Sequence, residues 1–430
     1  MKVLLVLPWH STDMSYRSRF SSLFTYPPLT LGALAAIIEK VHPDWVIDAV
    51  DEISGRVRFD NSYDLVMLTA TTPTVTRAYE IADKFREMGS YVCIGGYHVT
   101  YCREEVLQHA DTIFIGPGEY TVPQFLKDLE AGNPLDTYEG SCVMGKDIPS
   151  PDRSKISHKK YLKYPPVVAN PGCPNRCSYC VISQMWGEAT ARPIEDVISE
   201  IKSLKSKIIV FFDPNFFGNR DYSIKLMKEL MGLKIRWVGS ATIDVGFDEE
   251  LLTLAEKSGC NGLLVGLESV NQQTLNKVRK GFNKPERYKE AVQNLQKHGI
   301  MVNGCFVLGM DGDTEEDLMD LPRQVDYLGI NLARFSILTP VPGTGLYKEL
   351  EASGRIITTN WADYTQHKAV FKPENMSPER LEHIYRYVWK ETYSYKNIFK
   401  RIKRVTSKGI SARIIAFGAN LGFKFLGMEG

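Results

Sequence analysis

Three cysteines, Cys173, Cys177 and Cys180, stand together in the run Asn170-Pro-Gly-Cys-Pro-Asn-Arg-Cys-Ser-Tyr-Cys. A CxxxCxxC triplet on one short loop can bind three irons of a [4Fe–4S] cube and leave the fourth iron open to a substrate. A zinc site normally wants a fourth ligand at comparable spacing, and the nearest later cysteine, Cys260, lies far down the chain. The triplet therefore reads as an iron–sulfur ligand set with one exchangeable position. Cys93, Cys102, Cys142, Cys260 and Cys305 are scattered, and Cys93 and Cys305 fall in strand-like runs where a thiol acts as a small hydrophobe.

The elements that must position this loop follow an α/β rhythm. Up to about residue 132, apolar runs at Lys2–Pro8, Trp45–Val50, Tyr63–Ala70, Tyr91–Gly96 and Thr112–Gly116 alternate with amphipathic helical patterns at Leu29–Val41, Val75–Gly89 and Arg103–His109. That pattern predicts a parallel, doubly wound, Rossmann-like sheet, with ligands taken at the carboxyl ends of its strands. The loops there, Trp9–Ser15, Thr69–Pro73, Gly95–Thr100 and Gly116–Glu119, are rich in small and hydroxylated residues that allow close approach. Residues 133–164 read as a linker. From residue 165 to 354 six more strand-like runs, Val167–Cys173, Lys207–Pro214, Arg236–Thr242, Gly262–Ser269, Met301–Gly309 and Leu332–Pro340, alternate with helices, two units fewer than a closed barrel. A partial (β/α)6 barrel would be open at the side to a large substrate. Residues 355–430 read as a mixed, helical extension ending in a basic tail.

A chain of 430 residues that is 43% hydrophobic and 24% charged is ordinary for a globular protein of two or three domains. Its formal charge of +1 gives no reason to expect a nucleic-acid partner. Neither a signal peptide nor a membrane span is expected, which predicts a cytoplasmic protein. The tail Lys396–Lys408 carries six basic residues and no acid before apolar Ile410–Phe417, so peripheral contact with an anionic membrane competes with packing on the barrel.

The triplet with Tyr179 before its last cysteine resembles the signature of the radical S-adenosylmethionine (SAM) enzymes. The resemblance implies that SAM chelates the open iron through its methionyl amine and carboxylate. An electron from a donor such as flavodoxin or ferredoxin then cleaves the sulfonium to a 5′-deoxyadenosyl radical. It further implies SAM contacts at the strand ends: Asp213 and Asn215 for the amine, Glu268 or Ser269 for ribose or carboxylate, Gly309 bordering adenine, Tyr179 on the adenine side. Arg334 faces either the SAM carboxylate or outward.

The N-terminal part resembles the cobalamin-binding domain of one large subgroup, through Tyr26-Pro-Pro-Leu-Thr-Leu-Gly, Gly95-Gly-Tyr-His98 and Gly116-Pro-Gly-Glu119-Tyr-Thr121. Thr71, Thr72, Gly95, Gly96, His98, Gly116, Gly118 and Glu119 are the residues this implies at cobalamin. The DxHxxG loop that supplies a histidine to cobalt in many cobalamin proteins is missing, and His10 has Pro8 two places before it. Cobalamin is thus expected without an imidazole from His10 or His98, the latter lying near the corrin edge. The leading expectation is a methylase that uses methylcobalamin on unactivated carbon or phosphorus of a small or lipid-like substrate. The alternatives are radical chemistry without methyl transfer and a cofactor-binding module without turnover.

Overall fold

The computed structural model describes residues 1–9, 25–186, 190–404 and 409–428. Two parallel six-stranded sheets make up the molecule. The first contains β1 (Lys2–Leu7), β2 (Val46–Asp51), β3 (Leu65–Thr69), β4 (Tyr91–Gly95), β5 (Thr112–Ile115) and β6 (Thr137–Glu139) in the order β2-β1-β3-β4-β5-β6. Runs such as Val3-Leu-Leu-Val and Leu65-Val-Met-Leu are buried on both faces because helices cover both sides, which is why they read as continuous rather than alternating. The strand order reverses between β1 and β3, and a parallel sheet opens its ligand crevice at the carboxyl ends around such a point.

The second sheet, β7 (Pro166–Val167), β8 (Ile208–Phe211), β9 (Arg236–Ala241), β10 (Cys260–Glu268), β11 (Met301–Leu308) and β12 (Leu332–Ile337), is ordered sequentially, with β7 and β12 at its two edges. It is the open (β/α)6 barrel. Burial alternates along the strands: Ala333, Phe335 and Ile337 of β12 are buried against helices, while Leu332, Arg334 and Ser336 lie on the inner face. By the same alternation Asn303 and Cys305 of β11 line the interior.

Two segments differ from expectation, and a third takes one of the two readings the sequence left open. The stretch read as a linker is a strap with structure of its own: it contributes β6, paired in parallel with β5, and Tyr161 donates to Asp51 Oδ2 at 2.5 Å. The first barrel strand ends at Val167, because the Pro-Gly-Cys-Pro run beyond it cannot continue a ladder. The basic tail folds onto the barrel: in helix Tyr395–Arg404, Lys400 and Arg404 both pair with Asp326, and Arg401 is buried with its Nε on Asn420 Oδ1 at 3.0 Å. Lys408 lies outside the described residues. Among the described residues no helix is long and apolar enough to cross a membrane.

The C-terminal extension joins both halves. Helix Pro378–Thr392, capped by Ser377, crosses β12, and Tyr393 Oη exchanges two hydrogen bonds with the backbone of Ala333 at 2.7 and 2.9 Å. A side chain so placed satisfies the unpaired edge of the last strand. Trp361 of the same extension donates to Glu105 of the N-terminal domain at 2.9 Å.

Candidate functional site

The cysteine loop leaves β7 and is pinned from outside the loop. Ser178 N–H donates to Val278 O at 3.1 Å, and Leu346 N–H donates to Ser178 O at 3.0 Å. Cys177 is buried, Cys173 and Cys180 are half-buried, and none is in a disulfide. Among the described residues their sulfurs do not gather within 4.8 Å of one another, as one ion would require. A cube, in which each thiolate binds a different iron, needs them farther apart. Burial pushes the Cys177 thiol up to about 11, with Lys280 opposing and Cys180, Glu268 and Cys173 adding to the rise. Three thiols, a lysine and a glutamate therefore share one small region, and the donor set fits an iron–sulfur cluster.

Glu268 ends β10 at a bulge between Gly266 and Glu268, with φ of 65°. That left-handed conformation is unfavourable for a side chain bearing Cβ and is held by the loop behind it. Asn283 donates to Gly266 O at 2.9 Å and Tyr288 Oη to Leu267 O at 3.0 Å. The strain aims the Glu268 carboxylate at Lys280 Nζ, 2.7 Å away, with both residues buried. Burial works against the Lys280 charge, but Glu268 more than offsets it and leaves the amine above its usual value. The Tyr179 phenol sits beside Glu268, and burial raises it far above its ordinary range. Cys305, on the inner face next to Arg334 across the β11–β12 ladder, feels Glu268, Arg334 and Lys280, and burial pushes its thiol up to about 12.

The other expected SAM residues are placed differently. Asp213 Oδ1 accepts from Ala169 N–H at 2.7 Å, and Oδ2 is buried without a partner; burial pushes its carboxyl up to about 7. Its contact is thus with the chain leading into the cysteines. Asn215 is buried beneath the same loop, where the Gly218 that follows lies against Pro174. Ser269 Oγ accepts from Asn271 N–H at 3.1 Å and serves its own turn. Gly309 has φ of 92°, and a Cβ on it would sit 2.5 Å from Leu381 of the extension, so only glycine fits this turn. Arg334 faces inward, toward Cys305 and Tyr26. Lys280 and Cys305 escaped the sequence reading: Lys280 sits in a loop with no motif spacing, and a cysteine in an apolar strand reads as core.

Asp213→Ala is expected to lower the iron content of the purified protein, because the Ala169 backbone amide ahead of the cysteine loop loses its acceptor. Iron per chain at the wild-type level with weakened SAM binding would instead return Asp213 to direct cofactor contact.

A second cavity, of about 590 Å³, separates the two sheets. On the N-terminal side its wall is Thr71, Gly95, Gly96, Gly116, Gly118 and Glu119, at the ends of β3, β4 and β5. On the barrel side it is closed by Pro171, Ile182, Met185, Trp186, Phe212 and Pro214. Gly96 and Gly116 have φ of 113° and 76°, and a Cβ on them would sit 2.3 and 2.6 Å from the carbonyls of Ala70 and Gly140. Only glycine permits this backbone. A largely apolar slot with a backbone cradle and a few polar groups fits a flat macrocycle with an amide rim. Burial raises the Glu119 carboxyl, which favours its proton-donating form.

Two expected cobalamin residues do not reach the slot. Residues 97–101 form a helix rather than a loop, so Tyr97 faces the cavity and His98 turns into the protein, where its Nδ1 meets Thr72 Oγ1 at 3.2 Å. Successive helical side chains point about 100° apart, which separates neighbours in this way. No histidine lines the cavity among the described residues, and His10 lies outside them.

Comparison with known families reads the chain in three stretches: the Radical SAM superfamily over residues 167–325, a B12 binding domain over 26–126, and a domain of unknown function, DUF4070, over 344–416. The chain belongs to the radical SAM enzymes that carry a B12-binding domain. Its cofactors are a [4Fe–4S] cluster, SAM and cobalamin. This radical SAM enzyme is similar to the bacteriochlorophyllide d C-12(1)-methyltransferase of Chlorobaculum tepidum, at 28% identity over 94% of this chain and 89% of that one. It is also similar to the anaerobic magnesium-protoporphyrin IX monomethyl ester cyclase of Cereibacter sphaeroides, at 27% identity over 83% of this chain and 65% of that one. The solved structure of the radical SAM methyltransferase TsrM from Kitasatospora setae, with cobalamin and a [4Fe–4S] cluster bound, shares the fold with a TM-score of 0.69, covering 98% and 99% of the two chains at 16% identity.

Proposed function

We propose that this enzyme methylates an unactivated carbon, or phosphorus, of a small or lipid-like molecule, with Cys173, Cys177 and Cys180 holding the cluster. The observation that carries the reading is the position of the slot between the sheets: Pro171 and Ile182, which flank the cysteine triplet on both sides, are part of its wall. A corrin held there would lie against the cluster loop, so that one substrate in the open barrel could reach both centres. When bound, the cluster with SAM supplies a radical initiator and cobalamin a methyl carrier. Lys280 binds the methionyl carboxylate, Glu268 the ribose hydroxyls, and Asp213 holds the loop in place. The rings of Tyr26 and Phe212 meet edge to face at 5.8 Å, with Phe212 part of the wall of the slot. The curated methyltransferase relative supports the same outcome.

The cyclase relative favours a second reading, radical chemistry without methyl transfer. Product counting separates them, using SAM labelled in its methyl group, hydroxocobalamin, reduced flavodoxin or ferredoxin, and an apolar extract as the substrate source. Methylation is expected to yield S-adenosylhomocysteine and 5′-deoxyadenosine together, with label in one extractable product. Formation of 5′-deoxyadenosine alone, with a changed but unlabelled product, would establish the second reading.

A further inference from the structure

On the far side of helix Tyr97–Tyr101 from the corrin slot, three side chains that the chemistry above leaves unused converge. His98 Nε2, Cys102 Sγ and a Glu105 carboxylate oxygen all lie within 4.8 Å of one another. Their places, four and then three residues apart along two short helical turns, put them on one face. His98 is fully buried, and its Nε2 makes no hydrogen bond. An orphaned buried nitrogen is costly, and such groups are rare without a partner. The nearest Glu105 oxygen is 3.9 Å away, beyond hydrogen-bond reach.

The groups around the three donors are arranged as metal ligands require. Thr72 Oγ1 lies 3.2 Å from His98 Nδ1; as acceptor it fixes the proton there and leaves the Nε2 lone pair aimed at Cys102 and Glu105. Glu105 Oε1 accepts from Tyr79 Oη at 2.8 Å and from Trp361 Nε1 at 2.9 Å, which orients the carboxylate. Glu351 is near enough to act on the Cys102 thiol electrostatically, adding negative potential where a cation would sit. Cys102 is in no disulfide.

We propose that His98, Cys102 and Glu105 form a binding site for a zinc-class divalent cation, separate from the cluster and from the corrin. One imidazole nitrogen, one sulfur and one carboxylate oxygen make a borderline-soft donor set suited to Zn²⁺, with the fourth tetrahedral position left to water. Zn–ligand bonds of about 2.0–2.3 Å place tetrahedral donors about 3.3–3.7 Å apart, so the 3.9 Å between His98 Nε2 and Glu105 Oε1 closes by a shift of under about 1 Å, with Oε1 kept on Tyr79 and Trp361. Cys102 binds as thiolate and releases its proton to solvent; thiolate, carboxylate and Zn²⁺ then sum to zero charge. Because Glu105 is held by Trp361, the ion fastens the C-terminal extension to the N-terminal domain.

The test uses the full-length enzyme with its cluster reconstituted, loaded with Zn²⁺ alone and dialysed. One zinc per chain is expected, with an X-ray absorption shell of one sulfur at about 2.3 Å and lighter scatterers near 2.0 Å. Cys102→Ser is expected to remove the sulfur, and Thr72→Val, which leaves all three ligands in place, to weaken zinc binding about 10–100-fold. Iron content and thermal unfolding without zinc, measured on both variants, check that they fold. Failure of the folded wild-type enzyme to retain zinc, retention unchanged in folded Cys102→Ser, or a shell of three sulfurs marking the cluster cysteines would overturn the proposal.

Discussion

Cys177→Ala protein is expected to purify with little iron, no absorption from a [4Fe–4S] cluster and no 5′-deoxyadenosine formation, and the same holds for Cys173→Ala and Cys180→Ala. Each thiolate binds one iron of the cube, so a loop with two leaves two irons exposed where SAM needs one. The effect is close to total, because the remaining described cysteines stand on other elements: Cys260 and Cys305 on β10 and β11, Cys142 on the strap, and Cys102 and Cys93 in the N-terminal domain. Iron per chain, the paramagnetic signal of the reduced protein and product analysis together check it. Reductive cleavage of SAM surviving in all three variants would show that the cluster is bound elsewhere.

Lys280→Met is the second large effect. The substitution leaves the Glu268 carboxylate buried without its counter-ion, and breaking a buried pair of this kind costs about 3–5 kcal/mol. SAM affinity is expected to fall steeply while iron stays near the wild-type level, since neither residue is a cluster ligand. The double variant Glu268→Gln with Lys280→Met removes the unpaired charge, and its unfolding midpoint should recover although its SAM affinity does not. Calorimetric titration with SAM and denaturant melts on the three proteins separate the two roles. Normal SAM affinity in the folded double variant would leave the pair as a purely structural one.

Much of this architecture was legible because each strand is a short apolar run ended by a turn signal, and the cysteine triplet announces its chemistry through spacing alone. Legibility ended where pairing is non-local. The strand β6, Thr-Tyr-Glu, is too short and polar to stand out and exists because β5 offers it an edge. The charges of the tail read as exposed because Asp326, which takes two of them, lies some seventy residues earlier. Lys280 became part of the site only when a bulge at Glu268 turned the carboxylate toward it. His98 was assigned to the right neighbourhood and the wrong side of a helix, with Thr72 meeting it there, since a motif in sequence does not say which way each of its residues points. The alternation along β12 settled Arg334, which the sequence left open between two faces.

The slot between the sheets bears on how the enzyme is assembled. Its N-terminal wall emerges first during synthesis and can fold as a unit, but Phe212 and Pro214, which complete the far wall, follow well over a hundred residues after Gly95 and Gly96. Until the barrel closes over it, the nascent domain presents only half a pocket, an open apolar shelf with weak hold on a large macrocycle. With the corrin placed in this slot as proposed, its uptake is a late event, coupled to docking of the two halves. Cells short of cobalamin should accumulate a chain whose halves are joined less firmly and are more readily cut in the strap between them.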